Sequence, residues 1–202
     1  MAPGRKPAFP QSILRRDTVA AAKALLGAVL WHKTPEGVTA GRIVETEAYL
    51  SNDPACHASR GMTPRNAVMF GPPGRAYVYF IYGMYHCFNV VTRATGMGEA
   101  VLVRALEPLE GIDLMERRRG VEDVRKLCNG PAKLVIALGI RKEQSGEDLL
   151  RGNLRVLSAG SYPGWNSRKP PAIRSAPRIG IKEAVDWPLR FYVADSPFVS
   201  RK

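Results

Sequence analysis

Two carboxylates stand two residues apart in Arg42-Ile43-Val44-Glu45-Thr46-Glu47-Ala48-Tyr49. The run is β-prone, and side chains alternate along a strand. Ile43, Glu45, Glu47 and Tyr49 therefore face one way, and Val44, Thr46 and Ala48 the other. Glu47 is next to Tyr49, where the strand gives way to the polar loop Ser51-Asn52-Asp53-Pro54. A carboxylate at a strand end, beside an aromatic, is a candidate general base. The competing reading is a pair of solvated glutamates neutralised by some of the chain's many arginines, which is the usual fate of charged strand residues.

Other segments must position such a pair. Ala100-Val101-Leu102-Val103-Arg104-Ala105-Leu106 reads as a strand that is apolar on both sides except at Arg104. A guanidinium there is costly unless paired, so a partner carboxylate is expected, with Glu45 and Glu47 as candidates. Tyr77 to Val91 holds two β-prone runs around Gly83-Met84, which predicts a hairpin with Tyr77 and Tyr79 on one face and Tyr82 and Tyr85 near the tip. A tip cannot bury aromatics in its own core, and exposed tip aromatics on a basic protein point to stacking or wedging against bases. Residues 51–75 read as a long loop holding His57, Arg60 and Arg65, suited either to a cleft wall or to a surface excursion.

Elsewhere, Asp17-Thr18 caps a helix through Leu26 that Gly27 stops, and Ala28 to His32 forms a hairpin with the glutamate strand across Pro35-Glu36-Gly37. Asn129-Gly130-Pro131 opens a helix over residues 132–138 whose N-terminus suits a phosphate. Residues 153–158 and 189–193 read as strands. Arg178-Ile179-Gly180-Ile181 could bring backbone N–H groups close to a ligand. Residues 1–9 form a loose basic tail before one domain over residues 10–202, of mixed α+β class rather than doubly wound.

The 202 residues carry a net charge of +12, which favours a polyanionic partner, nucleic acid before a membrane surface. Three separated cysteines, Cys56, Cys87 and Cys128, lack metal-ligand spacing and read as reduced thiols of an intracellular protein. No stretch approaches the roughly 18 apolar residues of a membrane span. Phosphate-loop, dinucleotide and nucleophile-elbow motifs are absent from the sequence, and the histidines have no metal-binding spacing. No cofactor and no metal are expected.

The segments Ile43 to Tyr49, Thr63-Pro64-Arg65-Asn66, Tyr77-Val78-Tyr79, Ile81-Tyr82-Gly83-Met84-Tyr85 and Arg104 to Gly111 together resemble the alkyladenine (3-methyladenine) DNA glycosylase family. Gly130-Pro131-Ala132-Lys133-Leu134, Arg178-Ile179-Gly180 and Pro188 to Val193 extend the likeness over roughly residues 10–200. The resemblance implies a single domain with a mainly antiparallel curved sheet, packed helices and a protruding β-hairpin. It implies a monofunctional glycosylase of base excision repair that flips alkylated or deaminated purines out of duplex DNA and leaves an abasic site. Glu47 would activate water, with Arg104 holding water and carboxylate. Tyr49, His57 and Tyr79 would enclose the base, and Asn89 would resist normal purines with an exocyclic amino group. Tyr82 would fill the gap in the duplex, and Arg65, Met69 and Lys133 would contact DNA. The partner would be double-stranded DNA containing damaged purines. A monomer is expected, in the cytoplasm around the nucleoid if bacterial and in the nucleus if eukaryotic. The stretch from Tyr49 to His57 is one residue shorter than in vertebrate members, and the long N-terminal extensions of some eukaryotic ones are absent.

Overall fold

The computed structural model describes residues 6–81, 83–165 and 170–201. Its frame is one antiparallel, curved sheet of eight strands. In chain order these are β1 (Val29–Thr34), β2 (Gly37–Tyr49), β3 (Ala76–Ile81), β4 (Tyr85–Val91), β5 (Ala100–Glu110), β6 (Leu154–Leu157), β7 (Ile173–Ala176) and β8 (Arg190–Val193). The main path runs β3-β4-β5-β2-β1-β6. β2 is the central strand. Along one side it pairs with β5 from Ala40 to Tyr49, while on the other β1 covers Gly37 to Arg42 and β8 covers Glu45 to Glu47. The two glutamates are thus flanked by strands on both sides, with no edge left to water.

The register of β2 against β5 shifts between Ile43 and Glu45 and again between Glu45 and Thr46. Such bulges bend a strand and re-aim its side chains. A further shift falls at Ala40/Gly41, where a Cβ on Gly41 would come within 2.8 Å of the Leu106 Cβ, so only glycine permits that strand approach.

Among the described residues, five α-helices accompany the sheet: α1 (Gln11–Leu14), α2 (Thr18–Ala24), α3 (Ile112–Arg119), α4 (Val124–Leu127) and α5 (Pro131–Leu138). Asp17 caps α2 as expected, its Oδ1 accepting from Ala20 N at 2.7 Å. Pro131 opens α5, and Gly139 ends it at φ 65°. The main core is formed by Leu25, Leu30, Ile43, Phe88, Leu106, Leu134, Leu138 and Phe191, all nearly or fully buried. Thr46 Oγ donates to Ala22 O at 2.9 Å, tying α2 to β2 behind the glutamates.

The expected hairpin is β3–β4, in register from Ala76↔Val90 to Ile81↔Tyr85. Tyr82, the expected wedge, lies outside the described residues, while its neighbours Met84 and Tyr85 are exposed. Sequence reasoning missed three elements: α1, α4 and β7. At the N-terminal segment, Ala8 bridges to Leu157 and Phe9 is buried with its N–H on Val156 O, so these two residues are anchored on β6. Among the described residues, no helix is long and apolar enough to cross a membrane, and no cluster of His, Cys, Asp and Glu could hold a metal.

Candidate active site

Glu45 and Glu47 are both fully buried, which rules out the solvated reading. Arg104 on β5 reaches both: Nε lies 3.4 Å from Glu45 Oε1 and Nη1 3.2 Å from Glu47 Oε1. The buried arginine thus has the carboxylate partner its strand position demanded, and in fact two.

The two carboxylates differ in their donors and in what surrounds them. Glu45 accepts three hydrogen bonds beside the Arg104 ion pair. Its Oε1 accepts from Arg190 Nη1 at 2.9 Å and from Ser200 Oγ at 2.9 Å, and its Oε2 from Ser200 N at 2.6 Å. Glu47 Oε1 accepts from Ile179 N at 2.8 Å beside the Arg104 ion pair. Among the described residues, its Oε2 accepts only from the Tyr49 hydroxyl, at 2.9 Å. A carboxylate offers about four lone-pair sites, so Glu47 Oε2 keeps one for a further donor such as water. The same count leaves one on Glu45 Oε2, and what sets Glu47 apart is that its partners Tyr49, Arg104 and Ile179 line a cavity. Burial pushes the Glu47 carboxyl above its usual range, while Arg104, the Ile179 amide and the Tyr49 hydroxyl pull it back. That combination gives a carboxylate whose basicity is raised but whose charge is supported.

The side chains touching Glu47 open onto a cavity of about 570 Å³, within the range of small-ligand sites. Tyr49, His57, Tyr79, Asn89 and Arg104 all line it, so the structure brings together the expected pocket residues. The His57 and Tyr79 ring centroids are 4.4 Å apart at 71°, and His57 Nδ1 meets the Tyr77 hydroxyl at 3.0 Å. Burial, with Arg65 nearby, lowers the His57 pKa, so the ring is neutral at pH 7. Burial also raises Tyr49 and Tyr79, keeping their hydroxyls protonated. Asn89 Nδ2 donates to Tyr77 O at 3.1 Å, which fixes its amide in the wall.

Asn66 organises the loop that delivers His57. Its Nδ2 donates to His57 O (2.7 Å) and Gly61 O (3.0 Å), and its Oδ1 accepts from Thr63 N (2.6 Å). The shorter Tyr49-to-His57 stretch does not keep His57 from the cavity.

Three residues expected at DNA have different surroundings. Arg65 Nη2 donates to Phe80 O on the hairpin at 2.9 Å. Lys133 Nζ donates to Asn129 Oδ1 at 2.8 Å at the start of α5, where Pro131 and Ala132 line the cavity. Met69 departs from the expectation: it is only 2% exposed, packed with the Cys56, Tyr77 and Val91 cluster and lining the cavity. Its apolar side chain fills space behind the aromatic wall and does not present itself on the outer face. Sequence reasoning missed Asp53 and Arg178, which form a buried ion pair at the cavity's edge. Their separation of 125 residues leaves no local signal.

A model of the family described as methylpurine-DNA glycosylase (MPG) matches residues 12–197. A relative from Methanoculleus marisnigri, named a 3-methyladenine DNA glycosylase, is 53% identical over 194 residues, 96% of this chain and 99% of its own length. Relatives of the same name from Carboxydothermus hydrogenoformans and Francisella tularensis are 48% and 47% identical, over 96% and 95% of this chain and 99% and 98% of their own length. The chain belongs to the methylpurine-DNA glycosylase family, and it is a DNA glycosylase, a hydrolase of base excision repair.

Proposed function

We propose that the protein, as a monomer and without a cofactor, hydrolyses the N-glycosidic bond of alkylated or deaminated purines flipped out of duplex DNA, with Glu47 as general base. The observation that carries this is a fully buried carboxylate held by Arg104, the Ile179 N–H and the Tyr49 hydroxyl, three residues that all line one aromatic cavity. Breaking the bond leaves its electron pair on the base and builds oxocarbenium character at C1′. Glu47 stabilises that charge and takes a proton from water as the water oxygen bonds to C1′. Arg104 keeps Glu47 ionised and in place. An abasic site and a free base result.

The walls suit a cationic purine. Tyr49 and Tyr79 offer aromatic faces, each gaining about 0.5–2 kcal/mol against a cation. Neutral His57 adds a ring without adding a repelling charge. Asn89, fixed by Tyr77 O, is the wall against normal guanine. Tyr82 has the role of filling the vacated stack, with Arg65 and Lys133 at phosphates near the cavity mouth. The decisive experiment is single-turnover release of base from an alkylated duplex. Wild type should release it. Glu47→Gln should bind an abasic-site duplex normally yet lose about 10²–10⁴-fold or more in rate. Full excision by Glu47→Gln would remove Glu47 from the chemistry.

A further inference from the structure

Asp53 and Arg178 are both completely buried at their side chains. Arg178 Nη2 donates to Asp53 Oδ1 at 2.9 Å and Nη1 to Asp53 Oδ2, a bidentate fork, and Nη1 also donates to Ala48 O at 3.2 Å. Replacing a buried ion pair by apolar groups of like volume is often neutral or stabilising, so the pair is a poor device for stability alone. Among the described residues, Arg178 Nε is moreover buried with no hydrogen-bond partner, a cost that apolar packing would avoid.

Its position says more than its energy. Asp53 Oδ1 also accepts from Ala55 N at 3.0 Å, so it sets the turn from which Pro54, Ala55 and His57 enter the cavity wall. On the other partner, the residue after Arg178 is Ile179, whose N–H is bound to Glu47 Oε1. The guanidinium also lies 4.7 Å from the centroid of the Tyr49 ring, whose hydroxyl holds Glu47 Oε2. One ion pair therefore joins two walls from distant parts of the chain, next in sequence to one hydrogen-bond donor of Glu47 and against the ring of the other.

We infer that the Asp53–Arg178 pair is a positioning clamp for the reaction, fixing where Ile179 N–H and the Tyr49 hydroxyl stand against Glu47. The clamp touches neither water nor sugar and works only through those two donors. This rests on Glu47 being the base. The charged and titratable groups around Glu47 are Arg104 on β5, Glu45 and Tyr49 on β2, Tyr79 on β3, Cys87 on β4 and Arg178 itself, with Arg190 of β8 behind Glu45. Loss of the pair removes the favourable charge of Arg178 together with the opposing charge of Asp53, so the change that remains is the loosened Ile179 N–H bond. That favours the protonated carboxyl and moves the acid limb of activity to higher pH.

The test is the pH dependence of single-turnover base release by the double variant Asp53→Leu/Arg178→Met, which removes both charges without orphaning either. Glu47→Gln runs beside it. The expected result is a folded protein that still binds an abasic-site duplex, releases base about 10²-fold more slowly at neutral pH, and has its acid limb displaced upward. A rate within about twofold of wild type, or a slower rate with an unmoved limb, would overturn the clamp. Should the double variant not fold, Arg178→Lys is judged by the direction of the limb, since it keeps the charge but loses the fork. An upward shift supports the clamp and an unmoved limb rejects it. Wild-type excision by Glu47→Gln would instead remove the base assignment. An inactive Glu47→Gln with an unmoved limb in the clamp variants removes only the clamp.

Discussion

Glu45→Gln and Glu47→Gln change the same atom two residues apart and should fail in opposite ways. At Glu45 both oxygens accept: Oε1 from Arg190 Nη1 and Ser200 Oγ, Oε2 from Ser200 N. A glutamine has one acceptor and one NH₂ donor. Placed at Oε2 the NH₂ meets the Ser200 N–H donor across 2.6 Å, and placed at Oε1 it meets the Arg190 guanidinium. Neither flip is satisfied, and Arg190 loses its buried counter-charge. Breaking one partner of a buried pair costs about 3–5 kcal/mol. For a chain of this size that lowers Tm by roughly 6–20 °C. At Glu47 a glutamine fits. Its carbonyl takes the Ile179 N–H, and its NH₂ faces the Tyr49 hydroxyl, which can turn from donor to acceptor. The carboxyl at Glu47 is also raised by burial, so the folded state holds its proton to higher pH than the unfolded chain does. Folding stability contributed by this group is present below the ordinary carboxylate range and is lost as pH rises through the folded value. Glu47→Gln avoids that loss but leaves Arg104 with Glu45 as its remaining carboxylate, so at pH 7 its Tm should fall less than that of Glu45→Gln. Thermal unfolding of the three proteins, with single-turnover excision on the same samples, makes the comparison. A Glu45→Gln Tm within about 2 °C of wild type, where less than about 1 kcal/mol is lost, would refute the reasoning. So would a fall of Glu47→Gln as deep as that of Glu45→Gln.

Two further outcomes follow from the surface and the wall. With net charge +12, affinity for undamaged duplex should fall by roughly 10³-fold or more between about 50 and 200 mM salt, measured by fluorescence anisotropy. A flat response would count against phosphate contacts. Asn89→Ser should raise release of undamaged guanine by about tenfold, as relief of a packing clash would. Unchanged guanine release would place the discriminating wall elsewhere.

The parts of the fold that could be read from the sequence were those marked by local chemistry. Pro131 and Gly139 bracket α5, Asp17 caps α2, and the tyrosine-rich run folds on itself at Gly83-Met84. Arg104 in an apolar strand announced its need for a carboxylate before any partner was known. What stayed hidden depends on the partner of a strand or loop. The bulges at Ile43/Glu45 and Glu45/Thr46 arise from the register with β5, and β2 is buried on both faces, so alternation could not reveal them. β7 is exposed and among the described residues pairs only with β8, and its residues carry no apolar pattern of their own. Met69, in a stretch rich in Gly and Pro, reads as loop, and its burial comes from Cys56, Tyr77 and Val91, which lie outside that stretch's local pattern. What separates the two glutamates is their partners, Arg190 and Ser200 (155 residues away) for Glu45 against the cavity-lining Tyr49 and Ile179 for Glu47, and spacing alone could only order them by distance from the strand end.

The buried charges around Glu47 balance when it is ionised. Arg104, Arg178 and Arg190 face Glu45, Glu47 and Asp53, and all six are buried. Protonating Glu47 leaves one positive charge in excess in a medium where excess charge is expensive. A purine alkylated at N3 or N7 brings another positive charge into the cavity beside Tyr49 and Tyr79. That charge opposes protonation of Glu47, so the two binding events are linked and the carboxylate should stay ionised to lower pH in the complex. A neutral substrate such as hypoxanthine or etheno-adenine adds no such bias. The acid limb of the single-turnover rate reports groups in the enzyme–substrate complex. It should therefore lie at lower pH for 7-methylguanine than for whichever neutral lesion the wild type accepts, and the background loss of the labile alkylated base is subtracted with Glu47→Gln. Coincident limbs, or a limb at higher pH for the cationic substrate, would mean that the substrate's charge is not felt at Glu47 and that the cavity selects cations by stacking alone.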